Sequence, residues 1–409
     1  PNPLGTSFVV DETNVNEGII MEHVIELLDK YSGLESFFLE RGRREEILTG
    51  KPLRYGTAGF RLPAEKMEYI AWRTGIFAGL LSRFLHPENV GLMITASHNP
   101  ERDNGIKIFL NSGYLTPELE VEIEKFINEQ SLESGIKALY ASLSNQGKIT
   151  SEGTVLVGRD TRGSSGQLRW IAAQGLASVG ATELDFGVCS SPMLESFLAV
   201  SQDLGRKDKT EYHKEYRKMG ELFVELWQGF EPIEGEEKEL IADCSNGCAN
   251  RAFLTALSQS EIKNLGIKMI NTGEGAINEN CGSEVTYSGK VPLGISLDEN
   301  CSGVSFDGDA DRLILFNVLN GKLRVIRGEK MAAFCARFFD KFIGAKLSNE
   351  MPPIHAITTQ YTNSATKEFL TAAGIKWVTC PTGFKHLENA SKNSEVAVLF
   401  ENNGHFKVH

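Results

Sequence analysis

Three carboxylates stand at alternate positions in Ser305–Phe306–Asp307–Gly308–Asp309–Ala310–Asp311–Arg312. Side chains at i, i+2 and i+4 can converge on one hard cation if the backbone is extended and then curls, which Gly308 permits. An EF-hand is excluded, because Arg312 and Val318 stand where that loop needs Gly and Glu. A haloacid-dehalogenase-type Asp-x-Asp nucleophile loop is a rival, but it wants Thr or Val in place of Asp311. The reading without chemistry is an exposed acidic turn; against it, carboxylates this close repel one another unless a cation sits among them. Oxygen donors and a phosphate-handling context favour Mg2+ over zinc.

Thr95–Ala96–Ser97–His98–Asn99–Pro100 follows directly on the apolar run Val90–Ile94. A Ser just past a strand end belongs in the crevice at the carboxyl edge of a sheet. There is no GxSxG elbow, and adjacent Ser97 and His98 point different ways in extended chain, so hydrolase chemistry does not fit. A Ser that carries phosphate does, since a cation on the acidic loop would neutralise that phosphate for transfer.

Three basic elements complete such a site, each weak alone and readable as a surface turn with a solvated cation. Tyr55–Gly56–Thr57–Ala58–Gly59–Phe60–Arg61 is a Gly-rich loop ending in a guanidinium. Asp103–Asn104–Gly105–Ile106–Lys107 places an ammonium ten residues after Ser97, and Pro381–Thr382–Gly383–Phe384–Lys385–His386 follows a further strand. Glu401–Asn402–Asn403–Gly404–His405 suits paired sugar hydroxyls, with His405 a proton carrier near neutrality.

Positioning these groups falls to alternating strands and helices. Strands are expected at Val90–Ile94, Thr154–Gly158, Thr182–Phe186, Glu239–Asp243, Ile267–Ile270, Leu313–Val318, His355–Thr359, Lys376–Cys380 and Val396–Phe400. Helices are expected at Pro117–Asn128, Gly166–Ser178, Arg251–Ser260, Gly328–Phe342 and Asn363–Ala373. The rhythm predicts three successive α/β units with mixed sheets: residues 1–190 with the Ser97 loop, 191–300, and 301–409 with the acidic loop at its start and the Glu401 loop at its end. A charge-dense insertion near 203–235 reads as a surface helix between the first two units.

The 409 residues are 41% hydrophobic and carry a net charge of −12, which excludes a disordered chain and argues against nucleic acid or an anionic membrane as partner. The apolar stretch Tyr69–Leu85 is broken by Arg73 and Arg83, short of the ~18–20 residues of a membrane span. Seven scattered cysteines without a CxxC pair read as reduced thiols in a cytoplasmic protein. The chain lacks an initiator Met, which suggests processing or a truncated start. It stops a few residues after a strand and a Gly turn, so a further part is expected to be missing. No oligomeric state is read from the sequence.

The ordered set YGTAGFR, ITASHNP, DNGIK, GRDTR, SFDGDADR, PTGFKH and ENNGH resembles the α-D-phosphohexomutase superfamily, and within it the phosphoacetylglucosamine mutase family, over most of the chain from Tyr55 to His405. The resemblance implies α/β domains around a central cleft. It implies interconversion of N-acetylglucosamine 6-phosphate and 1-phosphate on the route to UDP-N-acetylglucosamine, with a sugar 1,6-bisphosphate as intermediate and activator. Ser97 matches the family's phosphoserine, and Asp307, Asp309 and Asp311 its Mg2+ ligands, the Ser97 phosphate being the fourth. Glu401, Asn402 and Asn403 fall on its sugar-binding loop. Asn402 and Phe406 stand where that loop has Ala and Gly, changes expected to reshape the pocket. The family's fourth domain, with an Arg-Ala-Ser-Gly-Thr-type phosphate loop, is expected to be absent from this chain.

On this reading Ser97, His98, Lys107 and Arg61 are catalytic, with Lys107 the acid–base group, His98 orienting the loop and Arg61 holding phosphate. Arg312 steadies the moving phosphoryl group, and Thr382, Gly383, Lys385, Glu401, Asn402, Asn403 and His405 bind substrate. Another hexose-phosphate mutase (glucose or mannose), a Mg2+-dependent sugar-phosphate phosphatase and a non-catalytic sugar-phosphate-binding protein remain the alternatives.

Overall fold

The computed structural model describes residues 22, 24–26, 29, 30, 32–40, 51–56, 59–204, 208–228, 238–256, 265–343 and 352–408. Three sheets follow one another along it. The first has strands β1 (Phe60–Pro63), β3 (Asp103–Leu110), β2 (Val90–Ile94), β5 (Thr154–Arg159) and β6 (Thr182–Val188) in that spatial order, with β4 (Gly113–Tyr114) paired to β3. β2, β5 and β6 are parallel, whereas β1–β3–β2 is antiparallel.

Every residue of β2 is buried because helices cover both faces. Val90, Leu92 and Ile94 meet helices Glu68–Phe84 and Ser165–Ser178, and Met93 joins the cluster that holds helix Ser191–Leu204. That last helix packs on β2 and β5, so the first unit extends past the expected limit at 190.

The stretch Tyr69–Leu85 is almost entirely the helix Glu68–Phe84, buried all round. Its arginines bond to backbone carbonyls inside: Arg73 Nη1 donates to those of Phe126 and Glu129 at 2.5 and 2.7 Å, and Arg83 to those of Thr150 and Val179 at 2.8 and 2.7 Å. Among the described residues no helix is long and apolar enough to cross a membrane.

The second sheet orders β11 (Lys322–Ile326), β10 (Leu313–Leu319), β9 (Cys301–Phe306), β7 (Lys238–Asp243) and β8 (Leu265–Ile270). The division expected at 300 is therefore corrected. It would separate β9 from β7, its parallel partner through Leu240–Asp243, and the acidic loop belongs to this middle unit as the β9–β10 connection. The third sheet orders β13 (Lys376–Cys380), β12 (Ile354–Thr359), β14 (Val396–Phe400) and β15 (Phe406–Val408), all parallel but the last.

The charged segment forms helix Lys209–Gln228. It is not wholly solvated: Tyr212 is buried against Phe186 and Phe197. The helix expected at Arg251–Ser260 runs Ala249–Ala256, with 257–260 outside the described residues. Gly328–Phe338 is α-helical, followed by a π-helical turn over Phe339–Ile343. The Asp103–Lys107 motif, read as a turn, is instead the start of β3 in the interior of the first sheet.

Candidate active site

The sheets present the carboxyl ends of their parallel strands to one place. β2 pairs in parallel with β5, Ile94 opposite Arg159, so the loops that leave them, Thr95–Pro100 and Asp160–Ser164, lie side by side. β7 and β9 run parallel, Asp243 opposite Ser305, which delivers Asp307–Asp311 to the same edge of the middle sheet. β13 and β14 end at Cys380 and Phe400, the points where Pro381–Gly383 and Glu401–His405 leave the third sheet. Loops outside carboxyl ends are where α/β sheets place ligands.

A cavity of about 190 Å³ lies where these loops meet. From the first unit it is lined by Arg61, Ser97 and Tyr114, and from the middle unit by Asp311 and Arg312. Thr382, Gly383, Glu401, Asn403 and His405 come from the third. The Glu401 loop is stitched to the acidic loop: Arg312 and His405 form an antiparallel bridge, and Leu313 N–H donates to Gly404 O at 2.9 Å.

Ser97 is buried with a left-handed backbone (φ 53°), its N–H donating to Thr95 Oγ1 at 2.9 Å. Its hydroxyl donates to Asp307 Oδ2 at 2.5 Å and lies 3.4 Å from Asp311 Oδ1. The carboxylates of Asp307, Asp309 and Asp311 offer oxygens all within 4.8 Å of one another. Burial, with Asp311 and Asp309 adding like charge, pushes the Asp307 carboxyl well up. Burial works the same way on Asp311, but Lys107 above all the neighbouring charges pulls that carboxyl well down.

Asp309 accepts from Ser191 Oγ at 2.6 Å and Lys107 Nζ at 2.8 Å on one oxygen, while its buried Oδ1 has no hydrogen-bond partner among the described residues. An all-oxygen triad with an orphaned, buried carboxylate oxygen fits a hard divalent cation, Mg2+ better than zinc.

Lys107 lies fully buried, donating to Asp309 and Asp311 at 2.8 and 2.9 Å. Burial alone would favour the amine, but those two charges outweigh it and hold the ammonium. It is therefore held as the ammonium, without the lowered pKa that a resting base needs.

His98 is half-buried outside the cavity lining, its pKa lowered to about 4 by burial and by the guanidiniums of Arg312 and Arg61. Arg61 donates to Asn99 Oδ1 at 3.2 Å. His405 stacks on Phe384 at 3.7 Å between centroids, with Tyr114 Oη 3.4 Å from Nε2, and burial lowers its pKa to about 3. The expectation of a proton carrier near neutrality is overturned, because the ring is neutral and packed. Lys385 pairs with Glu120 at 2.5 Å and does not line the cavity. Asn402 also lies outside it, donating to Tyr361 O at 3.3 Å. Thr57 and Ala58 of the Gly-rich loop fall outside the described residues.

Several residues at the site were not singled out from the sequence. Tyr114 lines the cavity without any motif to mark it. Arg162 sits in GRDTR, but nothing there reveals that it donates to Ser97 O and Asn99 O at 3.2 and 2.6 Å. Asn278 donates to the same two carbonyls at 2.8 and 3.0 Å from a loop with no recognisable pattern.

Successive mixed α/β units that bring a buried Ser, a triple-Asp loop and a Glu–Asn loop to one cleft define the α-D-phosphohexomutase class. Residues 327–409 match the family profile described as Phosphoacetylglucosamine mutase AMG1, domain III, starting one residue after β11 ends. Residues 85–134 and 121–202 match Phosphoglucomutase/phosphomannomutase, alpha/beta/alpha domain I. Phosphoacetylglucosamine mutase 1 of Schizosaccharomyces pombe is 30% identical over 374 residues, covering 88% of this chain and 70% of that protein. The chain belongs to the phosphoacetylglucosamine mutase family.

The human phosphoacetylglucosamine mutase is 31% identical over 364 residues, 87% of this chain and 66% of that one. The chain thus spans about two thirds of the length of such relatives. The Aspergillus fumigatus N-acetylphosphoglucosamine mutase, solved with GlcNAc-6P and magnesium, superposes with a TM-score of 0.78 at 26% identity, covering 90% of this chain and 70% of that one. A variant of the same fungal enzyme has been solved with glucose 1,6-bisphosphate.

Proposed function

We propose that this chain interconverts N-acetylglucosamine 6-phosphate and N-acetylglucosamine 1-phosphate, the precursor chemistry for UDP-N-acetylglucosamine, with Ser97 carrying the phosphoryl group. The observation that carries the reading is the Ser97 hydroxyl, held 2.5 Å from a member of the acidic triad at the wall of a cavity that Glu401, Asn403 and His405 also line. Its family and the fungal complex with GlcNAc-6P and magnesium support the same substrate.

Phosphorylated Ser97 gives its phosphoryl group to the free hydroxyl of the bound sugar monophosphate. The Ser97 O–P bond breaks, a sugar O–P bond forms, and the 1,6-bisphosphate turns over before the other phosphoryl group returns to Ser97. Lys107 and Ser97 share Asp311, the ammonium at 2.9 Å and the hydroxyl at 3.4 Å. The ammonium protonates the departing Ser97 oxygen, and the sugar hydroxyl's proton restores it. Arg61 and Arg312 hold phosphate, and the neutral His98 beside them adds no third charge. Glu401 and Asn403 take sugar hydroxyls, Glu401 being oriented by the Gly383 N–H at 3.2 Å.

Mg2+ held by Asp307, Asp309 and Asp311 would supply charge neutralisation for the group in transfer. A cytoplasmic setting fits seven cysteines that are all free thiols.

The test is a ³¹P NMR time course with N-acetylglucosamine 6-phosphate, Mg2+ and a trace of sugar 1,6-bisphosphate, with glucose 6-phosphate in parallel. A growing 1-phosphate signal is expected, faster for the N-acetyl sugar and abolished in Ser97→Ala. Rising orthophosphate would make the chain a phosphatase, and unchanged spectra would refute turnover by this chain.

A further inference from the structure

A buried nucleophile held in the left-handed region needs surroundings that impose that conformation. At Ser97 the surroundings are two side chains on the same pair of carbonyl oxygens. Arg162 Nη2 reaches Ser97 O and Asn99 O at 3.2 and 2.6 Å, and Asn278 Nδ2 reaches them at 2.8 and 3.0 Å. Arg162 belongs to the first unit, where an ion pair with Asp160 fixes its guanidinium. Asn278 belongs to the middle unit, follows β8, and is itself tied by its N–H to Ser245 O at 2.9 Å.

Gly308 of the acidic loop leaves room for this arrangement. A Cβ there would stand 2.7 Å from Ser97 O and 3.0 Å from Asn278 Nδ2. We infer that Arg162 and Asn278 are positioning residues for phosphoryl transfer, a two-sided clamp that holds the Ser97 oxygen in line with the acceptor. Because half of the clamp comes from the middle unit, the Ser97 loop takes its reactive shape only against the docked acidic loop.

The kinetic part of this inference rests on the mutase reading; the conformational part does not. Asn278 is the cleaner site to change, since removing Arg162 would strand the buried Asp160. Asn278 is left-handed (φ 60°), so Ala there would add strain of its own. Asn278→Asp keeps the size and tolerates that backbone but offers no N–H, and Asn278→Gly removes the side chain without strain.

Both variants are to be measured for kcat and KM, for thermal midpoint, and for amide hydrogen exchange across residues 95–104. The expected result is a kcat about 10- to 100-fold lower, the range a ~1 Å misplacement produces. KM should change by less than about threefold, and the amides of Ser97 and Asn99 should exchange at least about tenfold faster. Parental kcat and parental exchange would overturn the inference. So would losses of kcat, KM and thermal midpoint in step, which mark a merely structural residue. If the parent chain itself shows no mutase turnover, the exchange measurement decides alone.

Discussion

His405 enters the site as a neutral ring, since burial between Phe384 and Tyr114 lowers its pKa to about 3. The unfolded chain takes up that proton near 6.5. Between these values the unfolded state binds more protons, so stability falls as the pH falls through the window. Thermal midpoints recorded from pH 7 to 4 should therefore drop more steeply for the parent than for His405→Asn, and equal slopes would refute the buried neutral ring. The same burial predicts that the rate profile carries no inflection near pH 6.5 from this imidazole. At this scale the sequence revealed residue types better than their states. The meeting of Ser97 with the three aspartates was legible because the two motifs, each ambiguous alone, make joint sense as a phosphate carrier and a cation site. That Lys385 turns to Glu120 was not legible, because that partner is 265 positions away.

Gly404 lets the Glu401–His405 loop lie on the start of β10. Its φ is +92°, and a Cβ would meet Leu313 O at 2.4 Å. Gly404→Ala should destabilise the chain by roughly 2–4 kcal/mol, the left-handed cost plus the enforced separation of the two loops. It should also raise KM well before it lowers the kcat of the folded fraction; an unchanged KM would show that the docking does not shape the cavity. Among the elements, the parallel strands and amphipathic helices were readable because their periods are strong. Helix Glu68–Phe84 was not expected, since a helix buried on every side has no polar face to set a period. β3 opens with Asp-Asn-Gly and β9 with Cys-Ser-Gly, residues that imitate turns until an antiparallel neighbour, β1 for the first and β10 for the second, pairs with them.

Across the whole molecule, the first and third units are fastened by a charge cluster beside the cavity. Lys407 donates to Glu195 of the first unit at 2.7 Å and to Glu388 of the third at 2.6 Å, while Glu388 also accepts from Tyr114 N–H at 3.2 Å. Burial, with Glu388 adding like charge, raises the Glu195 carboxyl; Lys407 opposes this. Lys407→Met leaves the two carboxylates facing each other. It should cost roughly 1–3 kcal/mol at neutral pH, below the figure for a fully buried pair because the lysine side chain is 34% exposed. The loss should shrink on acidification, as one carboxyl takes up a proton; a penalty independent of pH would argue for lost packing instead. Such contacts between distant segments have no local pattern, which is why the domain limits at 190 and 300 were misplaced even where the strands on either side were right.

A cavity walled by all three units also makes its occupant a thermodynamic link among them. Any unit that melts gives up the occupant's whole binding free energy, not a third of it. Heated alone, the three sheets are held in step only by contacts between the units, such as the Lys407 cluster and the apolar core that the first and third share, and melting that escapes those contacts shows as separate calorimetric steps. Heated with a sugar phosphate that touches every wall, those steps should draw together towards a single sharper transition, so that the ligand confers cooperativity as well as heat resistance.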